Sequence, residues 1–597
     1  MATNVNVTGK ATEPSTSNDS RGSAAQTPQL LWLPLAMAAF FWVYMFAAPR
    51  FDMPISTTFL STMALALLTS LVFCGWWLFL SRTVCWRDRV LGLVMLIGGA
   101  AATSRLGDPS LGIIGCLLIG MPTAITAWLV WMLASKRFTL NGRRLGSLVV
   151  VAGVWLLFSL VRVEGVDGSN QAAVAWRFQP SAEQRYLAER TRSTTTGSAA
   201  DQPGESLVAG EGDWTDFRGP LRQGALHGVK IATDWQAHPP KELWRQKIGP
   251  AWSSVLIIGN RLFTQEQRGE AELTVCLNAA TGRELWAHAD EVRWSDGQAG
   301  AGPRATPSFS DGRLYTLGGT GVLNCLDAAS GKLLWTRNIA KDSGAPTPMW
   351  GFSSSPLVEQ GIVSVYAGGP DDKGLVAYDA STGEPAWTAA TGPVSYSSTQ
   401  LASFSGDTQA LLLSDTGVVA VDPRSGERRW EFAKPAGGIW RVVQPHQLAD
   451  ESVLVGSEDL GLVRLDIGRS DNAWTVSERW STRGMRPAFN DFVVSEGHAY
   501  GFDEAILSCV DLETGKRKWK GGRFGHGQLL LLADQPLLVV VGEKGELALV
   551  AARPDKFEEL ARIQAVEGKT WNHPVVAHGR LYVRNDQEMV CYELTLE

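Results

Sequence analysis

The side chains with chemistry to offer sit in short polar phrases of the second half of the chain, each just before an apolar, strand-like run. Arg304 stands in residues 302–307, Trp350 opens 350–356, and Tyr396-Ser397-Ser398 follows. Trp440-Arg441, Asn490-Asp491, the phrase 524–527 with His526 and the phrase 571–574 with His573 complete the set. Arg304 and Arg441 suit an anionic group, because the guanidinium fork matches a carboxylate. Asp491, beside Asn490, suits a general base or a ligand of a hard cation, which takes carboxylate and amide oxygens. Trp350 or Trp440 can stack on a planar ligand. His526 and His573 are further ligand-binding candidates. The histidines lack H-x-x-x-H spacing, so no zinc-type site is expected. Asp371-Asp372 lies in a Gly/Pro loop and reads as a solvated turn.

The elements that must position these phrases are repeats. CLNAATGRELW at 276–286 returns as 325–335, 376–387, 419–430 and 509–519. A phrase recurring at about 40–50 residues marks a repeat architecture. Each copy reads as a strand, a tight turn and a second strand ending on tryptophan. The glycine supplies the positive φ of a bulged hairpin turn, and the preceding Asp or Asn accepts backbone hydrogen bonds. Trp244, Trp286, Trp335, Trp387, Trp430, Trp480 and Trp519 fit the outer strand, and Leu560 stands there in a degenerate eighth copy at 547–566. ELWRQKI at 242–248 has only the outer strand and MVCYEL at 589–594 only the inner phrase, so together they make one blade and close a ring. Closure removes exposed sheet edges. The expected fold is an eight-bladed, all-β propeller over 213–597, or seven blades if the degenerate copy is an insertion. The loops before the innermost strands then converge on one mouth of the channel, the default place for a ligand. Cys276, Cys325, Cys509 and Cys591 recur at one strand position of separate blades, where they read as buried core residues rather than disulfide partners.

The first half differs. Residues 1–29 are polar and read as a disordered cytoplasmic tail. Five apolar runs follow, 30–48, 59–80, 90–104, 111–133 and 145–163, so 30–163 is expected to be a five-helix transmembrane bundle. The third is short and is either a span with snorkelling arginines or an interfacial segment. Arg82, Arg87, Arg89, Lys136, Arg137, Arg143 and Arg144 lie on the side of the N-terminus, which the positive-inside rule places in the cytoplasm. Five crossings deliver the propeller to the periplasm from a multi-pass inner-membrane anchor, through a linker at 164–212. The net charge of −6 gives no footprint for nucleic acid.

The repeat AxDxxTGxxxW resembles the tryptophan-docking repeat of pyrroloquinoline-quinone (PQQ) type propellers, and WTDFRGP at 214–220 resembles the opening phrase of bacterial PQQ-like propellers. The resemblance implies one of two functions. One is a binding or scaffold module that holds a protein partner without a cofactor. The other is a quinoprotein dehydrogenase with PQQ and Ca²⁺ that oxidises an alcohol or sugar and reduces membrane quinone, as implied by five-span membrane glucose dehydrogenases. The adjacent Cys-Cys pair of alcohol dehydrogenases is missing, as it is in glucose dehydrogenases. No C-x-x-C-H is present for a c-type haem. No residue set matches a complete PQQ and Ca²⁺ site, which favours the binding module.

Overall fold

The structure is a computed structural model and describes residues 30–193 and 207–597, apart from positions 52, 54, 82, 83, 169, 170, 437–440 and 472. The tail at 1–29, the Gly/Ser/Thr-rich stretch from 194 to 206 and Trp440 therefore lie outside the described residues. The chain divides into two compact units, one of apolar helices and one holding the sheets.

Among the described residues, four helices are long and apolar enough to cross a bilayer: Ser56–Leu80, Trp86–Leu106, Gly112–Arg137 and Leu140–Ser159. This corrects the expectation of five in two places. The third run gains length because Trp86–Arg89 and Arg105 continue its helix, which reaches 21 residues. The first run folds as Trp32–Ala47, only 16 residues, or about 24 Å at the α-helical rise, short of the ~30 Å hydrocarbon layer. Within the bundle, tryptophans pack where glycine leaves room, as small residues allow between apolar helices. A Cβ on Gly99 would lie 2.2 Å from the Trp155 ring, and one on Gly120 2.8 Å from the same ring. Arg144 pairs with Asp88 at 2.6 Å, so the connections before Trp86 and before Leu140 share one end of the bundle.

The sheets form eight blades, at 256–290, 308–338, 357–389, 400–433, 446–482, 493–523, 528–564 and 575–593, numbered 1 to 8 here. In each, consecutive strands pair antiparallel from the innermost outward, the order that short hairpin connections dictate. Blade 8 takes its outer strand, Lys241–Lys247, from the start of the domain, with Trp244 opposite Cys591. The ring closes as the two partial phrases require. The degenerate copy is blade 7, with Leu560 half-exposed on its outer strand.

The repeated phrase holds neighbouring blades together. Trp244 donates its indole N–H to Ala279 O of blade 1 at 3.0 Å, and Trp335 to Ala380 O of blade 3 at 3.1 Å. Five of the rings, Trp244, Trp286, Trp335, Trp387 and Trp480, lie on the turn glycine of the next blade. At Gly331, φ is +73° and a Cβ would meet the Trp286 ring at 2.5 Å, so both conformation and space require glycine. The four repeat cysteines sit opposite the tryptophans, fully buried and free. Burial pushes the Cys276, Cys509 and Cys591 thiols up to about 12 and Cys325 to about 11, so they serve as inert core residues.

The stretch read as a linker is structured up to residue 193. It contains a hairpin, Val161–Val166 with Ala172–Trp176, and a helix, Ala182–Ser193. The helix is tied to blade 1 by Tyr186, which donates to Glu266 at 3.0 Å, and by Glu183, which pairs with Arg293 at 2.8 Å. Its polar composition hid this docking, because ion pairs rather than an apolar stripe hold it.

Candidate functional site

The residue two positions before an innermost strand faces the preceding blade. The amide of Ser254 donates to Thr306 Oγ1 at 3.0 Å, that of Thr306 to Ser355 Oγ at 2.9 Å, and that of Ser355 to Ser398 Oγ at 2.9 Å. Asp491 holds the same position in blade 6, and its Oδ1 accepts the Gln444 amide at 3.0 Å. Asp491 thus extends a circumferential belt of side-chain acceptors that satisfies buried amides.

Residues 214–226 fill the channel inside that belt. Trp214 bridges Ile257 antiparallel in blade 1, and Ala225–Leu226 run parallel to Leu531 and Leu532 in blade 7. The segment enters the channel, turns at Gly219 and Gly224, where φ is positive, and leaves. Its two buried arginines reach the belt. Arg218 donates to Phe492 O at 2.5 Å and lies 3.5 Å from Asp491 Oδ1. Arg222 donates to Pro356 O and Asp216 Oδ1, both at 2.9 Å. Burial alone pushes a carboxyl up, yet Asp491 is held below the usual range, because Arg218 and His573 favour its charged form. These arginines were missed as site residues. The available signal was two arginines four apart, with an aspartate, in a phrase outside the repeat.

The seven candidate residues fall into separate groups. Asp491 and His573 meet, with the carboxylate 3.6 Å from the imidazole Nε2, and the His573 ring packs edge-on against Phe217 of the channel segment. Arg304 pairs with Asp296 and donates to Gly302 O and Gly300 O. Arg441 donates twice to Ala436 O, at 2.9 and 2.7 Å. Trp350 stacks obliquely on Tyr396, ring centroids 5.1 Å apart, and donates to Gln298 at 3.1 Å. Asn490 is fully buried and its Oδ1 accepts the Ala488 amide. His526 packs on Phe489 at 5.3 Å, and burial pulls its imidazole down to about 4, so it is neutral at neutral pH. Asp372 accepts the Thr388 hydroxyl in its turn. The two guanidiniums are thus engaged by neighbouring acceptors rather than presented to a ligand, and among the described residues no group of three or more His, Cys, Asp or Glu gathers as metal ligands. PQQ with Ca²⁺ would have to displace the contacts that Arg304 and Asp491 already make, while Arg441 gives two N–H groups to one carbonyl.

The mouth carries a second set that the phrases did not reveal. Lys569 lies between two indoles, 5.0 Å from the Trp252 ring and 4.4 Å from that of Trp571, a cation–π arrangement. Trp571 donates to Glu543 at 2.8 Å. The tip of the 161–176 hairpin rests on this set: the Val166 amide donates to Gln298 O at 3.1 Å and the Gly168 amide to Glu543 Oε1 at 2.6 Å. Toward blades 3 and 4 the mouth stays open, with Met349 74%, Leu221 66% and Val394 39% exposed. Lys569 and Glu543 escaped notice because they lie in polar turns indistinguishable in composition from solvated loops.

The sheets thus make a closed eight-bladed propeller with a filled channel and an aromatic mouth. Residues 269–521 match the PQQ-repeat family model described as Outer membrane protein assembly factor BamB. The chain is similar to Outer membrane protein assembly factor BamB of Burkholderia pseudomallei (strain K96243), 24% identical over 296 residues that cover 47% of this chain and 69% of the relative. Similar solved structures include BamB from Moraxella catarrhalis, with 14% identity, a TM-score of 0.44, and coverage of 60% of this chain and 98% of that one. Quinohemoprotein alcohol dehydrogenase ADHIIG from Pseudomonas putida HK5 has 15% identity, a TM-score of 0.48, and coverage of 66% and 83%.

Proposed function

We propose that the chain is a membrane-anchored, extracytoplasmic binding module whose propeller mouth holds a protein segment and which works without PQQ. One observation carries this reading. The polar side chains suited to a cofactor are spent on one another, while apolar side chains at the same mouth are left open to water. Arg304 and Arg441 answer to local acceptors and Asp491 to Arg218 and the Gln444 amide. Met349, Leu221 and Val394 are exposed in segments that adjoin Trp350, Arg222 and Tyr396, and protein interfaces favour such a mix of aromatic and apolar side chains. The relative's name, an assembly factor of the outer membrane, also favours a protein as the thing bound.

Purified chain supplied with PQQ and Ca²⁺ is expected to retain no cofactor and to reduce no dye with alcohols or sugars. Retention at micromolar PQQ, with dye reduction, would sink the binding-module reading in favour of the quinoprotein.

The placement outside the cytoplasm rests on an odd number of crossings. Beyond the four long helices, that requires Trp32–Ala47, continued by the turn at Ala48–Arg50, to cross as well. The shared basic end of the bundle then faces the cytoplasm, together with the N-terminus. Alkaline phosphatase fused after Glu597 is expected to be active in intact cells. An inactive fusion would mean an even number of crossings and a cytoplasmic propeller.

A further inference from the structure

We propose that the mouth, near Lys569 and Glu543, is a docking site for an extended, glycine-bearing polypeptide segment, and that the tip of the 161–176 hairpin is its resident occupant in cis. This deepens the binding-module reading and rests on it.

Among the described residues, three main-chain groups of the tip engage the mouth, and the Asp167 carboxylate lies near His526. The Val166 amide meets Gln298 O at 3.1 Å, the Gly168 amide meets Glu543 Oε1 at 2.6 Å, and the Val166 carbonyl accepts from Lys569 Nζ at 3.4 Å. Two acceptors and one donor, fixed in order, read the backbone of an extended segment without regard to most of its side chains. The exceptions are Gly165, with φ +146° and a Cβ that would lie 2.8 Å from Lys569 Nζ, and position 168. A Cβ there would lie 2.1 Å from His526 Cδ2 and 2.9 Å from Glu543 Oε1, so the site admits glycine alone at that point. Lys569 cannot swing away freely, because Trp252 and Trp571 hold its ammonium. The donor is therefore set in place for a carbonyl before any segment arrives.

The occupant is built to be exchangeable. The hairpin is a two-stranded sheet of its own with a register shift between Val163 and Gly165, and an isolated two-stranded hairpin is only marginally stable. The side chains of its second strand contribute little to holding it, since Val174 is 65% exposed and Ala172, Ala173 and Trp176 are exposed too. Among the described residues, His526 Nδ1 is buried without a hydrogen-bond partner, so a partner segment can offer a polar group there. Against that, tethering gives the cis tip an effective concentration of about millimolar, so it screens out weak segments.

The test uses the full chain in detergent and a synthetic peptide copying residues 163–173. The Gly168→Val chain is expected to release its hairpin, seen as faster amide deuterium exchange over 161–176. It should then bind the peptide at least about tenfold more tightly than the parent, whose mouth is filled in cis. A peptide carrying the same Gly-to-Val change should not bind. Equal peptide binding by parent and variant, or none by either, would overturn the proposal. A second chain, Val166→Cys with Gln298→Cys, works in the opposite sense and does not depend on the first folding. Oxidised, it should lose residual peptide binding, and reduced, it should regain it. Identical binding in both states would also overturn the proposal. Failure here leaves the cofactor assay untouched, and PQQ retention there would sink the binding-module reading whatever the peptide does.

Discussion

Replacing Arg218 by methionine is expected to destabilise the propeller by about 3–5 kcal/mol, the cost of stranding one partner of a buried ion pair. The reason lies in what surrounds it. Arg218 and Asp491 are each about 3% exposed, and the guanidinium also satisfies Phe492 O. Without it, the carboxylate keeps the Gln444 amide, with the neutral imidazoles of His573 and His446 near it. The midpoint of urea unfolding, followed by tryptophan fluorescence, measures the loss. The double variant R218M/D491N should recover part of it, because the amide oxygen can still accept from Gln444 with no charge left to strand.

The pH dependence carries a sign. In the parent, Asp491 is held below its ordinary value, so its contribution is present above about pH 4 and lost as pH falls through the lower folded value. In R218M, burial acts with less opposition and raises the folded value above the unfolded one. Its penalty then grows as pH rises above about 4, so the gap between the two proteins is widest near neutrality and narrows toward acid. A gap that stays constant from pH 4 to 7 would show that the pair is not what holds the belt to the channel segment.

The second large effect is expected at the blade turns, and it separates two roles of glycine. Gly331 and Gly497 have nearly the same backbone, φ +73° and +74°, but a Cβ on Gly497 meets nothing within 4 Å whereas one on Gly331 meets Trp286 at 2.5 Å. Gly497→Ala should cost about 1–2 kcal/mol, the left-handed penalty alone. Gly331→Ala should cost about 1–3 kcal/mol more, because the indole must shift within a packed interface between blades 1 and 2. Urea midpoints of the two variants give the difference directly. Equal losses would mean that the ring yields freely and that the tryptophan does not clamp the blades.

These positions also show how far the chain can be read without its structure. The repeat is legible because hairpin turns and wedged tryptophans are local demands that recur with the blade: Gly331, Asp327 and Trp335 can each be assigned from their neighbours in sequence. Ring closure is legible too, since half a blade at each end has only one way to be completed, and Trp244 opposite Cys591 is that completion. The apolar runs are equally plain, although run length alone misjudged Trp32–Ala47 and Trp86–Leu106, because charged flanks can continue a helix and prolines or turns can end one.

The candidate site was legible in part. The phrases before the inner strands do converge, but chemistry depends on which side chains are left unpaired, and pairing is a long-range property. Asp491 looked available until Arg218, 273 positions earlier in the chain, met it inside the channel. Arg304 looked like an anion site until Asp296 and two carbonyls took its guanidinium. Lys569 and Glu543 gave no signal in their own polar turns, and only the fold sets one between Trp252 and Trp571 and brings the other under the 161–176 hairpin. Local sequence determined the blades and their number. The tertiary structure alone decided which polar groups satisfy one another and which remain to receive a partner, because burial leaves a charge or a hydrogen bond free only where no distant residue arrives to meet it.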